Sequence, residues 1–285
     1  MKWLPLLFLI TCAEACSVLV LTGGGSWGAW EAGVLSRLHQ NGSRYDYITG
    51  VSVGSLNAIS YSALSDRPDL PSALYDIWSG IKTKNVFEPT LSGKSLMSIQ
   101  PLIKTIDSIV SKYQLLDLKH TIYVGMTSFT EGVFTEKVLP VSVAKALNYV
   151  IASASIPIIF PLRQIDGELY FDGGLLHNLI DTSAVANCLL QSREVDIDII
   201  SLRGPVSEFP TTEECDLWCY ATRTLQILYQ NVGDVEYKCD PTTRITARKF
   251  SPKASLEPGF LDFNSGEALY RQGYQVDTFE TIHVC

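Results

Sequence analysis

Histidine and methionine are scarce in this chain, with four and three residues among 285. Basic residues are also few: 22 Lys and Arg stand against 30 Asp and Glu, a net charge of −8. A chain of that sign is not drawn to nucleic acid by its overall charge. Internal repeats and low-complexity tracts are absent, which excludes a repeat array. After residue 15 no stretch has the length and unbroken apolarity of a membrane helix, so a soluble body is expected. The only histidines are His39, His120, His177 and His283, and none stands in a context that singles it out.

The chain opens on Lys2, the apolar run Trp3–Ile10 and Ala13-Glu14-Ala15. A charged start, a short greasy middle and a small-x-small site read as a secretory signal rather than a buried first strand. Cleavage near Ala15 would send residues 16–285 into the secretory lumen or out of the cell, with the net charge unchanged. Six cysteines then remain: Cys16, Cys188, Cys215, Cys219, Cys239 and Cys285. An even number in an exported chain favours disulfides. Four of the six lie beyond residue 200, so the stapled region is expected in the part spanning 205–285. Cys215 and Cys219 have the spacing of metal ligands, but no histidine lies near and the expected compartment disfavours zinc thiolates. Asn41-Gly42-Ser43 is a glycosylation sequon.

Strands and helices alternate along the chain. Residues 17–22, SVLVLT, suit a buried parallel strand. A helix is expected from about Trp27 to Asn41, with Ala29, Gly33 and Ser36 forming a small-residue stripe that would let it lie close to a sheet. A strand at Tyr45–Thr49 and a helix to about Leu64 follow. Further helices are expected near Pro71–Ile81, Gln100–Tyr113, Ser142–Ser155, Ser183–Gln191, Thr212–Asn231 and Ser265–Tyr274. Strands are expected near Thr121–Thr127, Val133–Val138, Arg163, Tyr170, Val195–Ser201 and Arg244–Phe250. Residues 83–93 read as loop. Parallel strands with right-handed crossovers, in a three-layer α/β domain, follow from this order.

The densest chemistry lies at Gly50-Val51-Ser52-Val53-Gly54, between an apolar strand and a helix. In a G-x-S-x-G turn the serine adopts an unusual backbone angle that pushes its hydroxyl out. Gly50 and Gly54 let neighbouring backbone pass, and the helix start aims its free N–H groups at the reacting centre. Ser52 is therefore a candidate nucleophile.

A second loop, Gly23-Gly24-Gly25-Ser26-Trp27-Gly28, joins the first strand to the first helix. It satisfies G-x-G-x-x-G, but a dinucleotide fold wants an acid at the end of the second strand, where Ile48-Thr49-Gly50 stands. Two adjacent strand-to-helix turns of a parallel sheet face one crevice, so an oxyanion hole fits better. An α/β-hydrolase would use a distant histidine and place several strands before its serine, whereas only two precede Ser52. Asp172 ends the strand-like ELYF and is followed by Gly173 and Gly174, which permit close backbone approach. Desolvation would raise its pKa and make it a workable base for a serine. Taken alone, Asp-Gly-Gly also reads as a hairpin turn.

The ordered set G-G-G-x-x-G, G-V-S-V-G-S-L-N-A, A-S-A-S-I-P-I-I-F-P and D-G-G resembles the patatin-like phospholipase family, from about Ser17 to Tyr274. The resemblance implies a three-layer α/β/α fold with a mainly parallel central sheet and a lipid acyl hydrolase activity. It implies Ser52 as nucleophile and Asp172 as general base, without a catalytic histidine, metal or cofactor. Backbone N–H groups in the loop of Gly23, Gly24, Gly25, Ser26 and Gly28 would bind the oxyanion. Two departures stand out. The family's glycine loop usually carries Arg or Lys where this chain has Trp27, which weakens phospholipid relative to neutral esters as substrate. His177-Asn178 after the D-G-G also differs from the family's small, Asn-rich sequence.

The implied partner is a lipid or phospholipid in a bilayer or micelle, reached by transient contact with a membrane surface. Residues 81–120 carry Lys82, Lys84, Lys94, Lys104, Lys112 and Lys119 against Glu88, Asp107 and Asp117. With its amphipathic Gln100–Tyr113 helix, this segment is a candidate lipid-facing cap, ordinary core packing being the alternative. Rival functions are a general carboxylesterase or thioesterase, and a catalytically idle storage or binding protein on the same fold.

Overall fold

A computed structural model describes residues 15–178, 182–205, 215–231, 242–257 and 259–284. The expected signal lies outside these residues. In chain order the elements are β1 (Cys16–Leu21), α1 (Gly28–Gln40), β2 (Tyr47–Val51), α2 (Val53–Leu64) and α3 (Leu70–Gly80). A small hairpin of β3 (Glu88–Pro89) and β4 (Met97–Ser98) precedes α4 (Gln100–Tyr113). Then come β5 (Thr121–Ser128), β6 (Phe134–Val138), α5 (Val143–Ser153), β7 (Arg163–Ile165) and β8 (Glu168–Asp172). The chain continues with α6 (Thr182–Leu189), β9 (Glu194–Ile200), α7 (Leu217–Asn231), β10 (Arg244–Phe250), α8 (Gly266–Tyr274) and β11 (Glu280–His283).

The described strands form a nine-stranded sheet in the order β11-β10-β9-β1-β2-β5-β8-β7, with β6 also on β5. The five strands from β10 to β5 run parallel, and β11, β8, β7 and β6 pair antiparallel. The central strand β1 shows why the run SVLVLT is apolar throughout. Leu19 and Leu21 enter the core shared with α1, α2, α3, α5 and α8, while Val18 and Val20 pack on the opposite face with Ala184, Val185 and Cys188 of α6. Side chains alternate sides along a strand, and here both sides are covered. The result is a sheet between two helical layers, as expected of the α/β/α class.

Several expectations change. Gly33 and Ser36 face α8 instead of the sheet. A Cβ on Gly33 would stand 2.1 Å from the Tyr270 carbonyl oxygen, one on Gly273 1.9 Å from that of Trp30, and the Tyr270 hydroxyl meets Ser36 Oγ at 2.7 Å. Missing side chains thus let two helix backbones touch. Within 83–93 the chain starts the β3–β4 hairpin, and β11 adds an edge strand that the sequence reading lacks. The amphipathic α4 turns its apolar face inward: Leu102 and Ile106 are buried and Ile103, Ile109 and Val110 pack against the core. One staple lies outside the C-terminal part: Cys16–Cys188 ties the start of β1 to α6. Cys215 and Cys219 pair with each other, while Cys239 and Cys285 lie outside the described residues. No helix among the described residues is long and apolar enough to cross a membrane.

Candidate active site

Ser52 follows β2 directly and caps α2, at φ 53° and ψ −126°. This backbone is strained for any residue with a Cβ. The glycines around it are required by contact. A Cβ on Gly50 would stand 2.7 Å from the Gly54 carbonyl oxygen, and one on Gly54 2.4 Å from that of Leu21. The turn is latched from below: the Ser52 N–H donates to Ser153 Oγ at 2.8 Å, and that hydroxyl donates to the Gly125 carbonyl at 2.7 Å. Asn57, one turn into α2, anchors the helix by donating to Gly28 O and to Glu31 Oε2 and by accepting the Trp78 indole N–H. Glu31 is fully buried, which pushes its carboxyl well above the usual range.

Sheet register brings Asp172 to Ser52. On β5, Gly125 pairs with Val51, the residue before Ser52, and the next residue, Met126, pairs with Asp172. Gly173 permits this, since a Cβ there would stand 2.6 Å from the Gly125 carbonyl oxygen. Asp172 is wholly buried. Its Oδ1 accepts the Gly174 N–H at 2.8 Å, while Oδ2 has no hydrogen-bond partner among the described residues. The nearby Ser52 and Tyr229 hydroxyls, together with the Gly174 N–H, oppose the effect of burial on the carboxyl. Burial prevails and pushes the carboxyl up to about 7. Tyr229, on α7, carries no motif and escapes the sequence reading.

The glycine loop is clamped by Asn178, whose Oδ1 accepts the Gly23 N–H at 2.7 Å and whose Nδ2 donates to Gly23 O at 3.2 Å. The unusual Asn178 thus has a local role. The expected oxyanion set narrows accordingly. The Gly23 N–H is spent on Asn178, the Ser26 N–H on the Phe260 carbonyl at 2.9 Å, and the Gly28 N–H on carbonyls of its own turn. The N–H groups of Gly24 and Gly25, and that of Val53 at the start of α2, have no partner among the described residues. Gly25 holds φ +55°, and a Cβ there would stand 2.1 Å from the Phe260 carbonyl oxygen. Trp27 is buried edge-on against Phe260, with ring centroids 5.9 Å apart.

Gly25, Ser52 and Val53 open onto a narrow cavity of about 90 Å³ whose wall includes Leu56, Leu102, Ile106 and Phe263. The inward face of α4 therefore lines this cavity. Among the described histidines, the rings of His39 and His120 lie beside Tyr61 and that of His177 against Phe134. No group of His, Cys, Asp and Glu among the described residues is arranged to hold a metal ion. A hydroxyl pushed out of a turn, a buried carboxylate beside it and free N–H groups at an apolar cavity are the parts needed for acyl transfer.

Fold and site together define a class, the three-layer α/β proteins whose sheet carries a turn serine and a buried aspartate. A family model for patatin-like phospholipases matches residues 19–183, and the chain belongs to that family. A cGAMP-activated phospholipase of Pseudomonas aeruginosa (strain BWHPSA011 / Pa011) is 26% identical over 176 residues, covering 56% of this chain and 53% of the relative. The chain spans about half the length of that curated relative. The crystal structure of VipD from Legionella pneumophila aligns with 95% of this chain and 68% of its own, at 13% identity and a TM-score of 0.39.

Proposed function

We propose that this protein is a secreted serine lipid acyl hydrolase of phospholipase A type, working through Ser52, Asp172 and an acyl-enzyme. The observation that carries this reading is a strained Ser52 that opens onto an apolar cavity and acts on the buried carboxyl of Asp172. Ser52 Oγ attacks the ester carbonyl carbon while its proton passes to Asp172 Oδ2. The carbonyl oxygen, now charged, rests on the N–H groups of Gly24, Gly25 and Val53. Collapse breaks the ester C–O bond, and the proton returns from Asp172 to the leaving alcohol. Water then attacks the acyl carbon and gives a proton to Asp172; collapse breaks the bond to Ser52 Oγ, Asp172 returns the proton to that oxygen, and the fatty acid leaves. A base near about 7 suits this cycle.

A membrane surface is the proposed source of substrate. Leu91 and Leu96, in the segment joining β3 to β4, project into solvent, and the Leu96 N–H donates at 2.9 Å to the carbonyl of Ile158, itself exposed. Ile158 is 75% exposed and holds φ 72°, a costly backbone for a β-branched residue. An exposed apolar cluster bought at that strain, with Lys94 at the loop, suits shallow insertion among lipids. Secretion is supported by the N-terminal motif and the disulfides Cys16–Cys188 and Cys215–Cys219. Asn41 is exposed at the end of α1, where a glycan can be attached.

Buried Trp27, in place of a basic residue, favours a second reading in which neutral esters or thioesters are preferred. Incubation of the pure protein with mixed lipids, followed by mass spectrometry of the products, separates the readings. Released fatty acid with matching lysophospholipid supports the first, and acid from neutral esters alone supports the second. Ser52→Ala and Asp172→Asn should each abolish release with the fold intact. Unchanged release in either variant removes that residue from the mechanism, and failure of a fluorophosphonate to label Ser52 points to an idle binding protein.

A further inference from the structure

Tyr229 lies on α7, far in sequence from every motif of the site. Its side chain is 3% exposed. Two site glycines keep its slot open: a Cβ on Gly174 would stand 2.2 Å from ring atom Cε1, and one on Gly23 3.3 Å from the same atom. Phe260 packs against the ring with centroids 5.3 Å apart, and Asn178 Nδ2 donates to the Tyr229 carbonyl at 3.4 Å. The ring is therefore fixed by the residues that shape the glycine loop.

This placement leaves two buried polar atoms beside each other. Tyr229 Oη and Asp172 Oδ2 both lack a hydrogen-bond partner among the described residues. Phenylalanine would fill the slot without burying an unpaired hydroxyl, which is costly. Catalytic hydrogen bonds are often long in unliganded sites and tighten as the reaction proceeds. We propose that Tyr229 is a positioning residue whose hydroxyl donates to Oδ2 of Asp172 and holds the carboxylate in its ionised form, turned toward Ser52. The Ser52 proton takes the second lone pair of that oxygen, and Tyr229 keeps its own proton throughout. Burial, followed by the charge of Asp172, holds the phenol well above its ordinary range, so it remains a donor.

This inference rests on the Ser52–Asp172 reading, and the test separates the two. Tyr229→Phe keeps the ring and its packing. Turnover of a soluble ester is followed across pH for the wild type, Tyr229→Phe and Asp172→Asn. The expected result for Tyr229→Phe is a kcat about tenfold to a hundredfold lower at neutral pH with KM unchanged. Its acid limb should move upward by about one pH unit, because a donor to the ionised form is gone. The limb's position does not depend on how much protein is folded. An unmoved limb in Tyr229→Phe, with Asp172→Asn inactive, overturns the role of Tyr229 alone. Full activity in Asp172→Asn overturns the dyad and this inference with it. If no ester is turned over, the pH dependence of fluorophosphonate labelling at Ser52 reads the same limb, and absence of labelling counts against both.

Discussion

Ser153 holds Ser52 by its backbone: the Ser153 hydroxyl accepts the Ser52 N–H at 2.8 Å and hands its own proton to Gly125 O. The strained turn is thereby tied to the strand where β2 and β8 both pair. Ser153→Ala leaves a buried N–H without a partner, a cost of about 1–3 kcal/mol. Both Tm and kcat should fall, while KM for a soluble ester stays the same. Wild-type turnover in this variant would show that the turn needs no latch.

With Asp172 as the proposed base, activity and stability should run oppositely with pH. Its carboxyl titrates at about 7 when folded, because burial outweighs its donors, and at about 4 when unfolded. Between these values the folded state binds the extra proton, so the stability contributed by protonated Asp172 is lost as pH rises from about 4 to about 7. Over the same range the base becomes ionised and kcat/KM rises. Asp172→Asn removes the buried charge, so its Tm should exceed that of the wild type above pH 7 and approach it at low pH. Calorimetry across that range checks the sign, and a lower Tm for the variant at high pH would contradict it.

Leu91→Asp and Leu96→Asp, made together, should weaken binding to lipid vesicles by roughly tenfold or more, given about 1.5–3 kcal/mol for each buried leucine. Turnover of a soluble ester should not change. Ile158→Gly relieves a positive φ and removes an exposed side chain. It should leave Tm unchanged or raised while vesicle binding drops. Sedimentation with vesicles decides, and undiminished binding in both variants would discard the patch.

The two disulfides among the described residues should contribute unequally. Cys16–Cys188 spans 172 residues and Cys215–Cys219 only 4. Loop-closure entropy assigns about 5 kcal/mol to the first and about 2 kcal/mol to the second. Paired alanine substitutions, compared by denaturant unfolding, should show that order.

Those features that depend on neighbours in sequence were legible from the chain. The run SVLVLT, the turn at Ser52 and the step from ELYF into Asp172 each carry their cause within a few residues. The nearness of Ser52 to Asp172 was legible only through family resemblance, because it depends on β5 pairing with both β2 and β8. Tyr229 and Asn178 were missed as site residues for the same reason: their roles arise where separate loops cross. The hairpin of β3 and β4 has two residues per strand, too few to show a period. The stripe of Gly33 and Ser36 announced a close approach but not its partner, since a sheet and a helix make the same demand for small side chains.

The position of β1 between β2 and β9 governs how the molecule can be assembled. A chain emerging amino end first presents this strand early, yet one of its two neighbours is not made until residue 200 has followed. Until then one edge of the most apolar strand stays open, and the cross-link waiting at Cys16 has no counterpart. The central pairing of the sheet is therefore a late, non-local step, of the kind that slows folding and leaves an edge open meanwhile.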